Sequence, residues 1–160
     1  MYGDIRREGY SMKLVDKTLD IDWKDFFGGI ATIHAAADIP PDTAAVVAIA
    51  RGGIYAGVVL AHLYSVPLFT IKVKSYKGKQ RQSDIFLGEI PPEIRGKKVV
   101  LVDDIIDSKR TVTEVKKRLI NFGVEIVETV VLCKKKDVEE DCIFANEIDN
   151  GVWVRFPWED

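Results

Sequence analysis

Four short apolar runs, Val46–Ala50, Leu68–Val73, Lys98–Val102 and Ile126–Leu132, each lead into glycine-containing or charged sequence. Longer segments separate them, with apolar residues recurring at helical spacing. Continuous runs rich in β-branched residues suit strands buried on both faces, and parallel strands need the long crossovers that such helical segments supply. The alternation therefore predicts an α/β domain with an open, mainly parallel sheet flanked by helices. A chain of 160 residues has the size of one domain and can bury a sufficient core without disulfide or metal staples. Its 47% apolar and 30% charged composition excludes disorder as the main state.

Asp22 is placed to cap a helix whose apolar face carries Trp23, Phe26, Phe27, Ile30 and Ile33 and which ends before Pro40. Gly28 and Gly29 weaken it by about 1 kcal/mol each. Arg51-Gly52-Gly53 turns the first apolar run into a helix over Ile54–Tyr64. The segment from Lys74 to Ser83 is too polar and glycine-interrupted for core and reads as a mobile loop. A later helix starts near Thr111, buries Val112, Val115 and Leu119, and stops at Asn121-Phe122-Gly123. The tail from Ile143, with Trp153, Phe156 and Trp158 close together, is expected to fold back over the domain. The expected organisation is a disordered extension over 1–11 and a single domain over 12–160, with a small C-terminal hood at about 137–160.

Twenty-three Lys and Arg against 25 Asp and Glu give a net charge of −2, so there is no global attraction to nucleic acid or acidic membranes. Any anion site must be local. Cys133, Cys142, His34 and His62 are too few for a disulfide framework or a structural zinc site, and imply a reducing compartment. No apolar run reaches the roughly 18 residues of a membrane span, and Met1 to Met12 is too polar for a signal peptide. The expectation is a cytoplasmic protein with no membrane anchor.

Ligands of open α/β sheets sit beyond the carboxyl ends of the strands. Those ends carry Arg51-Gly52-Gly53, the Lys74–Ser83 loop, Asp103-Asp104 and Lys134-Lys135-Lys136, which should converge on one crevice. In the segment Val99–Thr111, two acids at a strand end can hold ribose hydroxyls and Mg²⁺, and the loop into a helix N-terminus can present N–H groups to a phosphate. The plainer reading is that Asp107 or Ser108 caps the helix and Asp103-Asp104 are merely solvated.

This segment resembles the phosphoribosyl-diphosphate (PRPP) signature of type I phosphoribosyltransferases: an apolar strand, two acids, two apolar residues, then Asp, Thr or Ser, Gly, any residue and Thr. Ala50-Arg51-Gly52-Gly53 is similar to the pyrophosphate loop of that family, and Ser75-Tyr76 to the start of its flexible loop. Cys133-Lys134 and Trp153-Val154-Arg155-Phe156-Pro157-Trp158-Glu159 look most like the short bacterial xanthine-guanine enzymes. The resemblance runs from about Ala44 to the C-terminus.

What the resemblance implies is the type I phosphoribosyltransferase fold and transfer of the phosphoribosyl group from PRPP to a 6-oxopurine, with Mg²⁺ as cofactor. It also implies a homo-oligomer, dimer or tetramer. By the same resemblance Asp107 handles the purine N7 proton, Asp103 and Asp104 hold ribose hydroxyls and metal, with Asp104 the metal contact, and Ser108, Lys109, Arg110 and Thr111 hold the 5′-phosphate. Arg51, Gly52 and the loop's Arg81 meet pyrophosphate, with a cis peptide expected at Ala50–Arg51. Lys134, Trp153 and Val154 receive the base, whereas Lys135 and Lys136 read as surface and Trp23, Trp158, His34 and His62 as packing. Lys109-Arg110 departs from the family's glycine, and a lysine held at positive φ there would cost roughly 1–2 kcal/mol. The alternatives are a PRPP- or nucleotide-sensing protein without catalysis, and a transferase for another base.

Overall fold

The computed structural model describes residues 13–75 and 85–159. The predicted extension 1–11 and most of the predicted mobile loop, Arg81 included, lie outside the described residues. Five strands, β3 (Ala45–Ala50), β4 (Leu68–Ser75), β6 (Lys98–Ile106), β7 (Glu125–Lys135) and β8 (Ile143–Ile148), form a parallel sheet. With β5 (Ile85–Leu87) antiparallel at one edge, its order is β5-β4-β3-β6-β7-β8. A second sheet, β1-β2-β9, joins β1 (Lys13–Val15) and β2 (Thr18–Asp20) to β9 (Trp153–Arg155).

The helices α1 (Trp23–Ala36) and α2 (Gly53–Tyr64) cover one face of the large sheet and α3 (Lys109–Asn121) the other. Each central strand is buried on both sides because alternate residues feed two cores: Val46, Val100, Val102 and Leu132 pack under α1 and α2, while Val47, Leu101 and Val131 pack under α3. Val112, Val115 and Leu119 are buried as their spacing predicts. At α1, Asp22 accepts from Asp25 N–H at 2.8 Å and Asp25 reciprocates at 3.3 Å, a capping box. Gly29 lets that helix approach the sheet closely, since a Cβ there would lie 3.2 Å from Ala145 Cβ and 3.3 Å from Leu132 Cδ2. Trp23 and Phe27, expected in the core, are exposed instead.

The tail differs from expectation. Residues 143–148 are not part of a hood but form the edge strand β8, paired to β7. The segment from Trp153 to Glu159 does fold back, β9 onto an N-terminal hairpin that periodicity did not reveal and Trp158 onto Phe26 and Tyr55. That hairpin turns at Asp16 and Lys17, both at positive φ, which opens the way for β2 to pair in parallel with β9. No helix among the described residues is long and apolar enough to cross a membrane.

Candidate functional site

The carboxyl ends of β3, β6 and β7 bring the predicted residues to one end of the sheet. β6 does not stop at Val102; it continues through Asp103 and Asp104 to Ile106, because Ile105 and Ile106 pair with Cys133 and Lys134 of β7. Each acid accepts the next backbone N–H, Asp104 N to Asp103 Oδ1 at 2.9 Å and Ile105 N to Asp104 Oδ1 at 2.7 Å. Burial, joined by the Asp104 charge, pushes the Asp103 carboxyl well above the usual carboxylate range. Burial also raises Asp104, and the charge of Glu159 adds to it. Among the described residues neither acid has a cation at ion-pair distance.

Across from Asp104 runs the turn after β3. The Ala50–Arg51 peptide is cis, as the resemblance implied, and Arg51 is exposed. A Cβ at Gly52 would overlap the Asp104 carboxylate, so a larger residue there would displace that side chain. One at Gly53 would sit 2.6 Å from Val102 O and 3.0 Å from Asp103 Cα. The Arg51-Gly52-Gly53 turn and the acidic strand end are thus in direct contact.

Asp107 and Ser108 follow β6. Ser108 takes the N-cap position of α3, but its side chain makes no capping bond, so the plainer capping reading is not what its hydroxyl does. Lys109 is the first helical residue, two positions earlier than Thr111, and neither it nor Arg110 has positive φ. The departure from the family's glycine therefore carries no left-handed strain here. Ser108, Lys109 and Arg110 are exposed, Arg110 is engaged by other groups, and Thr111 is half-buried.

The lysines require a correction. Adjacent residues of a strand point to opposite faces, and it is Lys135, read from the sequence as surface, that enters the crevice. It is buried, its ammonium donates to Val152 O, and it stands 3.9 Å from Asp107 Oδ1. Lys134 lies on the α3 side, donating to Val138 O at 3.1 Å with its ammonium 4.8 Å from the Phe144 ring centroid. The structure does not bring Lys134 together with Asp107.

In β9, Val154 is buried in the core, while Trp153 is 69% exposed and donates its backbone N–H to Lys17 O at 2.7 Å. Glu159 was not singled out in the sequence. It accepts from Phe156 N–H at 2.8 Å, and its charge reaches Asp104. Its position after an aromatic-proline turn was the only available signal. A separate cleft of about 530 Å³, lined by Arg95, Arg118 and Phe122 among others, contains none of these residues.

The raised acids carry a stability prediction. A carboxyl whose folded pKa exceeds its unfolded value destabilises the folded chain once ionised, so its contribution is best below the unfolded value and is lost as pH rises through the folded one. Asp103→Asn is accordingly expected to raise the melting temperature of the ligand-free protein by a few degrees at neutral pH, with the gain shrinking toward acid pH. Melting curves across pH test this, and a lower melting temperature at neutral pH would show that the Asp103 charge is stabilised.

The comparisons agree with this geometry. Residues 29–159 match the phosphoribosyl transferase domain family. A purine phosphoribosyltransferase from Pyrococcus horikoshii Ot3 superposes with a TM-score of 0.76 at 26% identity, over 90% of this chain and 95% of that one. The xanthine-guanine-hypoxanthine phosphoribosyltransferase of Helicobacter pylori gives 0.75 at 22%, over 89% and 94%. An orotate phosphoribosyltransferase from Aeropyrum pernix gives 0.58 at 19%, over 79% and 73%. Comparison with the curated proteins gives no match. A parallel sheet whose carboxyl ends join a glycine loop, paired acids and an open helix N-terminus, matched by the domain family over most of its length, means that this chain belongs to the phosphoribosyl transferase domain family.

Proposed function

We propose that the chain transfers the 5-phosphoribosyl group of PRPP to a 6-oxopurine, giving the nucleoside 5′-monophosphate and pyrophosphate. The observation that carries this reading is the buried Lys135 ammonium standing 3.9 Å from Asp107 beside the Val152–Trp153 segment. A fixed donor suits the oxygen at C6 of a 6-oxopurine, whereas the 6-amino group of adenine would meet it donor to donor. Asp107 manages the proton at N7, and the exposed Trp153 ring stacks on the base.

Asp103 and Asp104 hold the ribose hydroxyls. The first N–H groups of α3, which no side chain caps, hold the 5′-phosphate together with Ser108, Lys109, Arg110 and Thr111. Arg51 and the Gly52 backbone hold pyrophosphate, stabilising the leaving group as positive charge develops at ribose C1′. Asp104, with Glu159 close by, suits Mg²⁺: both are hard oxygen donors, and their repulsion is what a divalent cation relieves. No cluster of three or more ligating side chains forms among the described residues, in keeping with an ion held largely by substrate oxygens. When bound, it neutralises charge on the pyrophosphate. The exposed rings of Trp23 and Phe27 support self-association.

The test is nucleotide formation from PRPP with guanine, xanthine, hypoxanthine, adenine and orotate in turn. The 6-oxopurines are expected to react, and preference for adenine or orotate would sink the assignment. Lys109 is expected to contribute through its charge, so Lys109→Gly should weaken PRPP by roughly 1 kcal/mol at low salt and less at high salt. Calorimetry at two ionic strengths checks this. Tighter PRPP binding in the variant would mean that Lys109 obstructs the pocket and would favour the non-catalytic alternative.

A further inference from the structure

We infer that Tyr55 and Trp158 are positioning residues that join the pyrophosphate loop to the base-binding tail, so that occupation of either half of the site strengthens the other. The inference rests on the transferase reading above. Its basis is a line of contacts between two segments far apart in sequence. The Trp158 ring lies parallel to Tyr55 at 4.3 Å and 8°, and parallel to Phe156 at 4.8 Å and 4°. Phe26 meets it edge-on at 5.7 Å. The Phe156–Glu159 turn is closed twice, by Glu159 N–H to Phe156 O at 3.1 Å and by Phe156 N–H to the Glu159 carboxylate at 2.8 Å. That turn fixes the direction in which Trp158 points.

On the other side, Tyr55 lies in the first turn of α2, two residues after Gly53, and the backbone of Gly52 and Gly53 packs against Asp104 and Val102. Motion of the tail at Trp153 passes through Phe156 and Trp158 to Tyr55, and from there to the loop that faces Asp104. The tail is also held by the pairing of β9 with β2, by burial of Val154 and Phe156 in the core and by Lys135 donating to Val152 O, none of which involves residues 51–55. Tyr55–Trp158 is the ring contact that ties the tail to the first turn of α2, and through it a base seated under Trp153 and a pyrophosphate held at Arg51 act on each other. Such coupling is reciprocal for binding.

The experiment is steady-state kinetics of the full chain, varying PRPP and the best base of the panel independently, for wild type, Tyr55→Leu, Trp158→Leu, the double variant and Tyr55→Phe. Tyr55→Leu is expected to raise KM for the base roughly threefold to tenfold, the size of one aromatic pair, although Tyr55 lies outside the tail. Trp158→Leu is expected to raise KM for PRPP by a similar factor, although Trp158 lies outside the loop. The double variant should be no worse than the poorer single one, kcat at saturation should change little, and Tyr55→Phe should behave as wild type. Tyr55 is on the helix surface, so its variants carry the test even where Trp158→Leu loosens the tail. Effects confined to PRPP for Tyr55→Leu and to the base for Trp158→Leu, adding in the double variant, would overturn the coupling. So would unchanged KM values. A wild type inert toward every base overturns the transferase reading itself, whereas an active wild type with uncoupled variants overturns only the bridge.

Discussion

Asp107→Asn is expected to lower kcat by about 10² or more while PRPP affinity stays within a few-fold, because the amide keeps the shape of the side chain and loses its ability to take or give the proton at N7. Asp107 follows the end of β6 with its side chain 77% exposed, outside the buried core. Among the described residues its ion-pair contact is Lys135 at 3.9 Å, the residue proposed to meet the base. Single-turnover kinetics beside calorimetric PRPP titration separates chemistry from binding. Unchanged turnover would remove Asp107 from proton handling, and a parallel collapse of PRPP affinity would assign it to the sugar phosphate instead.

The central strands were legible because burial on both faces leaves runs such as Val46–Ala50 and Lys98–Val102 no polar interruption, and α3 because Val112, Val115 and Leu119 repeat at its period. The acids and the glycine loop were legible because both interrupt the chain where a buried strand ends, and the missing Cβ at Gly52 leaves room for the Asp104 carboxylate. What escaped depended on register or on distant pairing. The sequence Cys133-Lys134-Lys135-Lys136 offers consecutive lysines, and the face each takes follows from how β7 aligns with β6, including the register shift at Val99/Val100, which no local pattern encodes. The β1-β2 hairpin is three residues a side and finds its partner in β9, more than 130 positions away, so its apolar alternation is too short to read. Trp23 and Phe27 fit a helical stripe, yet only Phe26, Ile30 and Ile33 of that stripe are buried, and Trp23 and Phe27 remain exposed.

Lys135→Met is expected to lower kcat/KM for a 6-oxopurine by about 10², the scale of a lost charged hydrogen bond, while Lys134→Met stays within about twofold. The two lysines are neighbours, but their surroundings differ. Lys135 is buried beside Asp107, with its ammonium held by Val152 O and, at 3.5 Å, near Asp149 O. Lys134 is directed at Val138 O and the Phe144 ring, on the far side of the sheet from the α1–α2 core. Methionine fills a similar volume, and the carbonyl of half-buried Val152 can take water in place of the ammonium, so the melting temperature should move far less than activity. Loss of the donor should also narrow discrimination, since adenine, repelled by an ammonium at C6, meets a neutral thioether in the variant. Kinetics of both variants with hypoxanthine and adenine decides the matter. A large loss in Lys134→Met with Lys135→Met near wild type would return the base contact to Lys134 and would require β7 to sit one residue out of the register described here.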